Sequence, residues 1–422
     1  MSPFTFSVVF AIMLLASVLL RLWLASRQIR HVALHRDAVP PEFESRIGLS
    51  AHRRAADYTI ARTRLGMVDT LIGAALLLGF TLFGGLQWIQ DALAGWLPQT
   101  PFVRQLLFVA AVMLIGALVE VPLDWYRQFR LEQRFGFNRM TLPLFFADLG
   151  KGLLLTLVLG LPLLALVLWL MDSAGGWWWL WAWGVWVAFN LSVLVLYPTV
   201  IAPMFNRFEP LADAAVRERV EALLARCGFT ARGLYVMDGS KRSAHGNAYF
   251  TGLGRAKRIV FFDTLLSRLN VDEIEAVLAH ELGHFRRRHV PKRIAMMFAL
   301  SLAGLALLGW LSLQPWFYQG LGLTPDPQGQ GAAALVLFFL VLPSFTLPLQ
   351  PLGSLLSRRH EFEADAFAAD QTRAQSLIDA LVKLYEDNAS TLTPDPVHSA
   401  FYDSHPPASQ RIGRLAAAAA AR

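Results

Sequence analysis

Two histidines and a glutamate are spaced for metal chemistry in His-Glu-Leu-Gly-His, residues 280–284. On an α-helix, His280 and His284 lie one turn apart on the same face, so both imidazoles can bind one zinc ion. Glu281, between them, can then take a proton from a metal-bound water. Because this short pattern also arises by chance, its interpretation depends on the rest of the sequence.

A catalytic zinc site needs a third protein ligand, and the sequence offers one in Ser357–Asp365. Glu361 and Asp365 are four residues apart and share a helical face. One carboxylate can therefore bind the metal while the other accepts the distal N–H of a ligating histidine. Glu363 is predicted to point elsewhere on the helix, and His360 is a rival ligand one residue out of phase. A thiolate site is excluded because the chain has 1 cysteine.

The composition is typical of a membrane protein. Of the 422 residues, 55% are hydrophobic and 16% are charged, and the mean hydropathy is +0.43. Seven apolar runs approach the roughly 20 residues needed to cross a bilayer. Prolines at 162, 343 and 348 interrupt two of them, which membrane spans tolerate. The predicted spans are 4–25, 67–90, 103–125, 152–171, 177–200, 293–314 and 331–352.

Lys and Arg alternate between the loops and predict the orientation. They are abundant in the loops that follow the first, third and fifth spans and in the C-terminal tail, and absent from the intervening turns. The positive-inside rule then puts the N-terminus outside and the metal motif on the cytoplasmic side. The net charge of +7 is explained by this topology, so we expect no nucleic-acid partner. The first run lacks a basic n-region and is predicted to be a retained span.

The predicted fold is mainly α: a polytopic membrane protein with seven transmembrane helices and a small zincin-like α+β catalytic unit. Transmembrane helices 1–5 occupy 1–200, and helices 6 and 7 occupy 293–352. The catalytic unit is split into 201–292, with the first motif, and 353–422, with the third ligand.

Local sequence patterns predict the helices and strands of segment 201–292. A helix is predicted over Leu211–Cys227 and a strand over Gly233–Met237. Asn247–Thr251 and Arg258–Asp263 read as a hairpin around Gly252 and Gly254. Asn270, with Glu273 three residues on, is typical of a capping box at the start of the metal helix.

Taken together, the motifs resemble the type one CAAX prenyl protease family, the integral-membrane zinc peptidases that include the yeast a-factor-converting enzyme. Each matching stretch is weak or moderate by itself, but their order and spacing are specific. With the seven spans in register, they cover nearly the whole chain. The stretches are Leu131–Thr141, Asn247–Phe250, His280–His284, Ser357–Ala368 and Ser404–Pro407 with Arg411.

The resemblance implies roles for particular residues. His280, His284 and Glu361 would hold one zinc ion per chain, with Glu281 as general base and Asp365 supporting a ligand. His405 would help to stabilise the oxyanion, and Arg411 would give further support. The strand Asn247, Ala248, Tyr249 and Phe250 would pair with the substrate backbone. The seven helices would surround a large chamber, and the activity would be trimming of the C-terminal three residues of prenylated CAAX proteins.

Two alternatives stay open at this point. A heat-shock-type membrane quality-control metallopeptidase would share the metal motifs and act on misfolded proteins. A non-catalytic channel or transporter with a vestigial site is a more remote possibility. The expected partners are the lipid bilayer and a peptide or protein substrate, with or without a prenyl group. The composition, rich in Ala, Leu and Arg, indicates a bacterial inner membrane. The oligomeric state is not predicted.

Overall fold

The fold was taken from a computed structural model, which describes residues 1–229, 233–251, 258–326 and 329–420. Within these ranges, seven helical runs are long and apolar enough to cross a membrane, as the sequence predicted. The seven runs are Pro3–Leu34, Leu49–Phe80, Pro101–Glu132, Leu142–Ser173, Gly175–Phe205, His289–Leu311 and Gln330–Gln371.

The secondary-structure elements follow one another with short connections. The α-helices are α1 (Pro3–Leu34), α2 (Leu49–Phe80), α3 (Gly85–Trp96), α4 (Pro101–Tyr126), α5 (Leu142–Leu155), α6 (Leu161–Ser173), α7 (Trp178–Leu196), α8 (Ala202–Phe205), α9 (Ala214–Arg226), α10 (Asp263–Leu266), α11 (Val271–Arg286), α12 (His289–Leu311), α13 (Pro315–Gln319), α14 (Gln330–Thr346), α15 (Gln350–Gln371), α16 (Ala374–Asp387), α17 (Pro396–Tyr402) and α18 (Ala408–Ala420). The strands are β1 (Phe208–Pro210), β2 (Leu234–Met237), β3 (Ala248–Thr251) and β4 (Arg258–Phe262).

The second span differs from the prediction of 67–90. Its helix, α2, begins at Leu49 and ends at Phe80, and Gly84 turns the chain into α3 with a φ of 77°. Hydropathy registers only the apolar part of α2, because its first half is rich in arginine. That half is nevertheless helical and packs on α1. Just beyond the end of α1, Arg36 donates to Asp57 over 2.8 and 2.9 Å.

The seventh span continues into the helix that carries Glu361. Pro343 lies inside α14, and a short turn at Leu347–Leu349 leads directly from α14 into α15. The predicted boundary at 352 marks the end of the apolar run and falls inside α15. Because the helical run is nearly continuous, the membrane helix sets the position of Glu361.

A four-stranded sheet of order β1-β2-β4-β3 lies beside the metal helix. β2 runs parallel to β4, and β3 pairs antiparallel with β4, with Ala248 opposite Phe261. The sequence predicted three of these strands and missed β1. The predicted turn residues Gly252 and Gly254 lie outside the described residues. Since β3 stands at the end of the strand order, one of its edges is free among the described strands.

The metal helix α11 is fixed at its start and along its buried face. Asn270 and Glu273 form the predicted capping box, with both hydrogen bonds present. Ile274, Leu278 and Leu282 are buried in the core of the catalytic unit. Burial of each such side chain stabilises the fold by about 1.5–3 kcal/mol. The histidines of α11 therefore project from a rigid element.

Helices α11 and α15 approach each other closely at Gly283. A Cβ at Gly283 would lie 2.9 Å from the Ala364 Cα and 3.1 Å from the Ala364 carbonyl oxygen. Both residues are buried. A glycine is therefore required between Leu282 and His284, because a side chain would push α15, and with it Glu361, away from the histidines.

We expect Gly283→Ala to destabilise the protein by about 1–3 kcal/mol, the typical cost of overpacking, and to weaken metal binding. Thermal unfolding and the metal content of the purified variant measure the two effects. Gly413→Ala is the matched control, since nothing lies within 4 Å of a Cβ added there. A Gly283→Ala variant with unchanged melting temperature and metal content would contradict this account.

Candidate metal centre

Three side chains from α11 and α15 converge on one point. His280, His284 and Glu361 each offer a ligand atom, and these atoms lie within 4.8 Å of one another. Nε2 of His280 lies 3.4 Å from Glu361 Oε2, and Nε2 of His284 lies 3.3 Å from Glu361 Oε1. The two Nε2 atoms are 3.3 Å apart. The structure thus brings together the three residues that the sequence singled out as ligands.

The donor set fits a divalent cation. Two imidazoles and one carboxylate are the ligand types of a catalytic zinc site. Oε2 of Glu361 is buried and makes no hydrogen bond to any described residue, and a buried, unsatisfied carboxylate oxygen is costly unless it is compensated. A cation between the three ligand atoms would satisfy it.

Asp365 and Arg411 orient His280. Nδ1 of His280 lies 2.8 Å from Asp365 Oδ1, and Arg411 donates to both oxygens of Asp365 over 2.8 and 2.5 Å. The carboxylate therefore holds the proton on Nδ1 and leaves the Nε2 lone pair free for a metal. All three side chains are buried, so this arrangement is shielded from water.

The carboxylates next to His280 also shift the pKa of its imidazole. Burial alone would lower the pKa of this imidazole, but the carboxylates of Asp365 and Glu361 beside its two nitrogens raise it to about 9. A ligating imidazole must be neutral, so protons compete with a metal ion for His280 as the pH falls.

His284 is oriented by a pair of residues that sequence reasoning missed. Nδ1 of His284 lies 3.0 Å from Nδ1 of His289, and Nε2 of His289 lies 3.0 Å from Glu363 Oε2. If His289 donates from Nε2 to the carboxylate, its Nδ1 accepts the proton of His284 Nδ1. His284 then presents the lone pair of Nε2 to the metal, as His280 does.

Glu363, which the sequence predicts to point elsewhere on the helix, contacts the centre only indirectly. Glu363 lies outside the ligand cluster but reaches it through His289, which is buried. His289 begins α12 after Arg288, whose φ of 55° turns the chain back. His360, the rival ligand, instead stacks on His289 with ring centroids 4.0 Å apart. The sequence signal was weak, because a histidine five residues after a ligand has no motif of its own.

Glu281 lies between the two histidines and is half-buried. Burial raises the pKa of its carboxyl group, and the nearby His280 and His284 partly oppose that shift. A carboxylate with a raised pKa is better matched to proton transfer near neutral pH. The direction of this pKa shift fits the general-base role that the sequence predicts for Glu281.

His405 also lies close to Glu361. Its Nε2 is 3.4 Å from Glu361 Oε2, and its Nδ1 is 3.1 Å from the Ser404 hydroxyl. The His405 side chain is 61% exposed, unlike the ligands. An exposed imidazole at this distance can reach a molecule bound at the metal.

A cavity of about 890 Å³ adjoins the centre and includes His405 and Arg411 in its wall. Gly246 and Asn247, at the start of β3, also line it. Within β3, Phe250 packs on Phe285 of α11, with ring centroids 4.9 Å apart. The predicted substrate strand Asn247–Phe250 thus adjoins the metal helix at one end of the cavity.

Comparison with known proteins agrees with this geometry. Residues 28–207 match the description "CAAX prenyl protease N-terminal, five membrane helices", and residues 210–419 match "Peptidase family M48". The CAAX prenyl protease 1 homolog of Oryza sativa is 32% identical over 400 residues, covering 92% of each chain. The chain belongs to peptidase family M48. CAAX prenyl protease 1 of Saccharomyces cerevisiae is 31% identical, over 89% of this chain and 88% of the relative.

The fold of this M48 peptidase is also that of a solved structure. The crystal structure of S. mikatae Ste24p matches it with a TM-score of 0.90 at 29% identity, covering 97% of this chain and 99% of that one. Family and fold together confirm a multi-pass membrane metalloendopeptidase that resembles CAAX-processing enzymes. The non-catalytic transporter considered from the sequence is not supported.

Removing the hydrogen-bond acceptor of His289 tests whether Glu363 and His289 orient His284. We expect Glu363→Ala to weaken metal binding about 10-fold or more, the usual effect of losing such a partner. Glu363→Gln keeps an acceptor oxygen and should restore most of the affinity. Competition with a chromophoric chelator gives the metal dissociation constant of each variant. Equal constants for Glu363→Ala and the parent protein would contradict the role of His289 and Glu363.

Proposed function

We propose that this M48 peptidase is a zinc enzyme that cleaves peptide bonds near the C-terminus of prenylated CAAX proteins. The observation that carries the proposal is the convergence of His280, His284 and Glu361 beside a cavity and a free strand edge. The relatives named above are CAAX prenyl proteases, and this chain matches them over nearly their whole length. We further propose a bacterial inner membrane, with the N-terminus outside and the centre facing the cytoplasm, from the loop charges.

Zinc, when bound by these three side chains, would polarise the scissile carbonyl and acidify a water molecule. The carboxylate of Glu281 takes the proton from that water and later delivers it to the leaving amine. Burial raises the pKa of Glu281, so the same group can hold the proton between the two steps.

His405 and β3 act on the substrate itself. Nε2 of His405 can donate a hydrogen bond to the carbonyl oxygen as it gains negative charge, which favours the transition state over the ground state. The free edge of β3 offers backbone donors and acceptors to an extended peptide, in the manner of strand addition. Asn247 at its start faces the cavity, so the bound peptide would continue from the strand into it.

We expect Glu281→Ala to abolish peptide cleavage while the protein still binds one zinc ion, because the ligands are untouched. Cleavage of a quenched peptide and metal analysis of the same sample measure both properties. Asp272→Asn is the control, since Asp272 lies in the first turn of α11 and belongs to neither the ligand set nor its hydrogen-bond partners. Retained activity in Glu281→Ala would overturn the role of the base.

A matched pair of CAAX peptides, prenylated and unprenylated, tests the substrate class. We expect faster cleavage of the prenylated peptide, with inhibition of both reactions by phenanthroline and recovery on addition of zinc. Equal cleavage of the two peptides would favour the quality-control alternative, in which unfolded chains are the substrates. Kinetic constants for both peptides give the comparison.

A further inference from the structure

The cavity next to the metal centre carries two arginines from the membrane helices. Its wall includes Arg21 of α1 and Arg62 of α2, together with Gly246 and Asn247. Neither arginine forms an ion pair with a carboxylate among the described residues. A cation in the wall of a cavity attracts anions into it. Both arginines are therefore candidates to bind an anionic group there.

Arg62 is held in place by an aromatic ring. Its guanidinium lies over Tyr58, 5.4 Å from the ring centroid. The Tyr58 hydroxyl donates to Glu132 over 2.6 Å, and Glu132 is also 3.7 Å from His245. This carboxylate is therefore engaged by other groups and does not form an ion pair with Arg62. The guanidinium also interacts with the Tyr58 hydroxyl, and its other N–H donors can serve a molecule in the cavity.

Arg21 shares the cavity wall with a group of opposite charge. Asp69 lines the same cavity. The other acid in the wall, Asp403, acts on His398. Arg62 forms no direct ion pair among the described residues, although the charge of Glu132, which accepts from Tyr58, acts on it.

The position of the cavity also indicates the direction of a bound peptide. β3 runs from Ala248 to Thr251, and the cavity lies before its start, at Gly246 and Asn247. A peptide paired antiparallel to β3 would leave the strand there with its C-terminal end first. Antiparallel pairing is also the slightly more stable arrangement. A volume of about 890 Å³ suits a short tail, not a folded chain.

A tail of three residues is short enough to lie within this cavity. An extended peptide advances about 3.3 Å per residue, so three residues reach about 10 Å beyond the cleaved bond. Asn247 and Arg62 both line the cavity. A short C-terminal tail that leaves β3 at Asn247 would therefore enter the space that Arg62 faces.

We propose that Arg62 binds the free C-terminal carboxylate of the substrate, which lies antiparallel to β3. The inference rests on the proposed peptidase function and names how the enzyme would select a chain end. A guanidinium recognises a carboxylate through two parallel N–H···O bonds. Loss of such charge-assisted bonds typically weakens binding about 10- to 100-fold.

Two peptides of one sequence, ending in a carboxylate or in a carboxamide, test this proposal. Binding to the full-length zinc-loaded Glu281→Ala protein is measured by fluorescence anisotropy, and cleavage by the parent enzyme is measured in parallel. We expect the parent binding site to prefer the carboxylate about 10-fold or more. Arg62→Gln, added to Glu281→Ala, should reduce this preference to about one, and Arg62→Lys should restore part of it.

The carboxamide peptide serves as an internal control, because its binding should be the same with and without Arg62→Gln. Arg64→Gln is the matched variant: Arg64 lies on the same helix, is exposed and does not line the cavity, so the preference should persist. Equal binding of both peptides by the parent site, or a preference that survives Arg62→Gln, would overturn the proposal. Failure of the parent enzyme to cleave either peptide would instead refute the proposed function.

Discussion

The metal centre depends on one close helix contact, that of α11 with α15 at Gly283. The three ligand residues come from two segments of the chain that are separated by two membrane spans, α12 and α14. Contact between Gly283 and the backbone of Ala364 lets those helices approach closely enough for Glu361 to meet both imidazoles. Because α15 continues the last membrane helix, the same contact fixes the centre relative to the membrane domain.

Hydrogen bonds then decide what the approaching ligands can do. Each ligating histidine has its Nδ1 occupied, His280 by Asp365 and His284 by His289. Both Nε2 lone pairs are thereby aimed at the same point as the Glu361 carboxylate. The cost of burying Asp365 is offset by Arg411, which donates to both of its oxygens. The centre is organised before any metal binds, and this reduces the conformational freedom that metal binding must remove.

The membrane domain contributes to the site as well as anchoring it. Helices α1 and α2 form part of the cavity wall, and α4 continues into the segment that carries Glu132. Through Tyr58, Glu132 and His245, this domain contacts the loop that leads into β3. The substrate strand and the membrane helices thus share one cavity. In our proposal the strand binds the peptide backbone and α2 binds its end.

The sequence by itself determined the elements whose signals are local. Seven apolar runs gave the seven spans, Asn270 and Glu273 gave the start of the metal helix, and the spacing of His280, His284, Glu361 and Asp365 singled out the residues that converge. These signals are readable because hydropathy, capping and helical periodicity act over a few residues. Only the tertiary structure decided the start of α2, the β1 strand, the link of His289 to Glu363, and the position of Arg62 at the cavity. Each of these depends on contacts between residues far apart in the chain, and no local pattern encodes such distances.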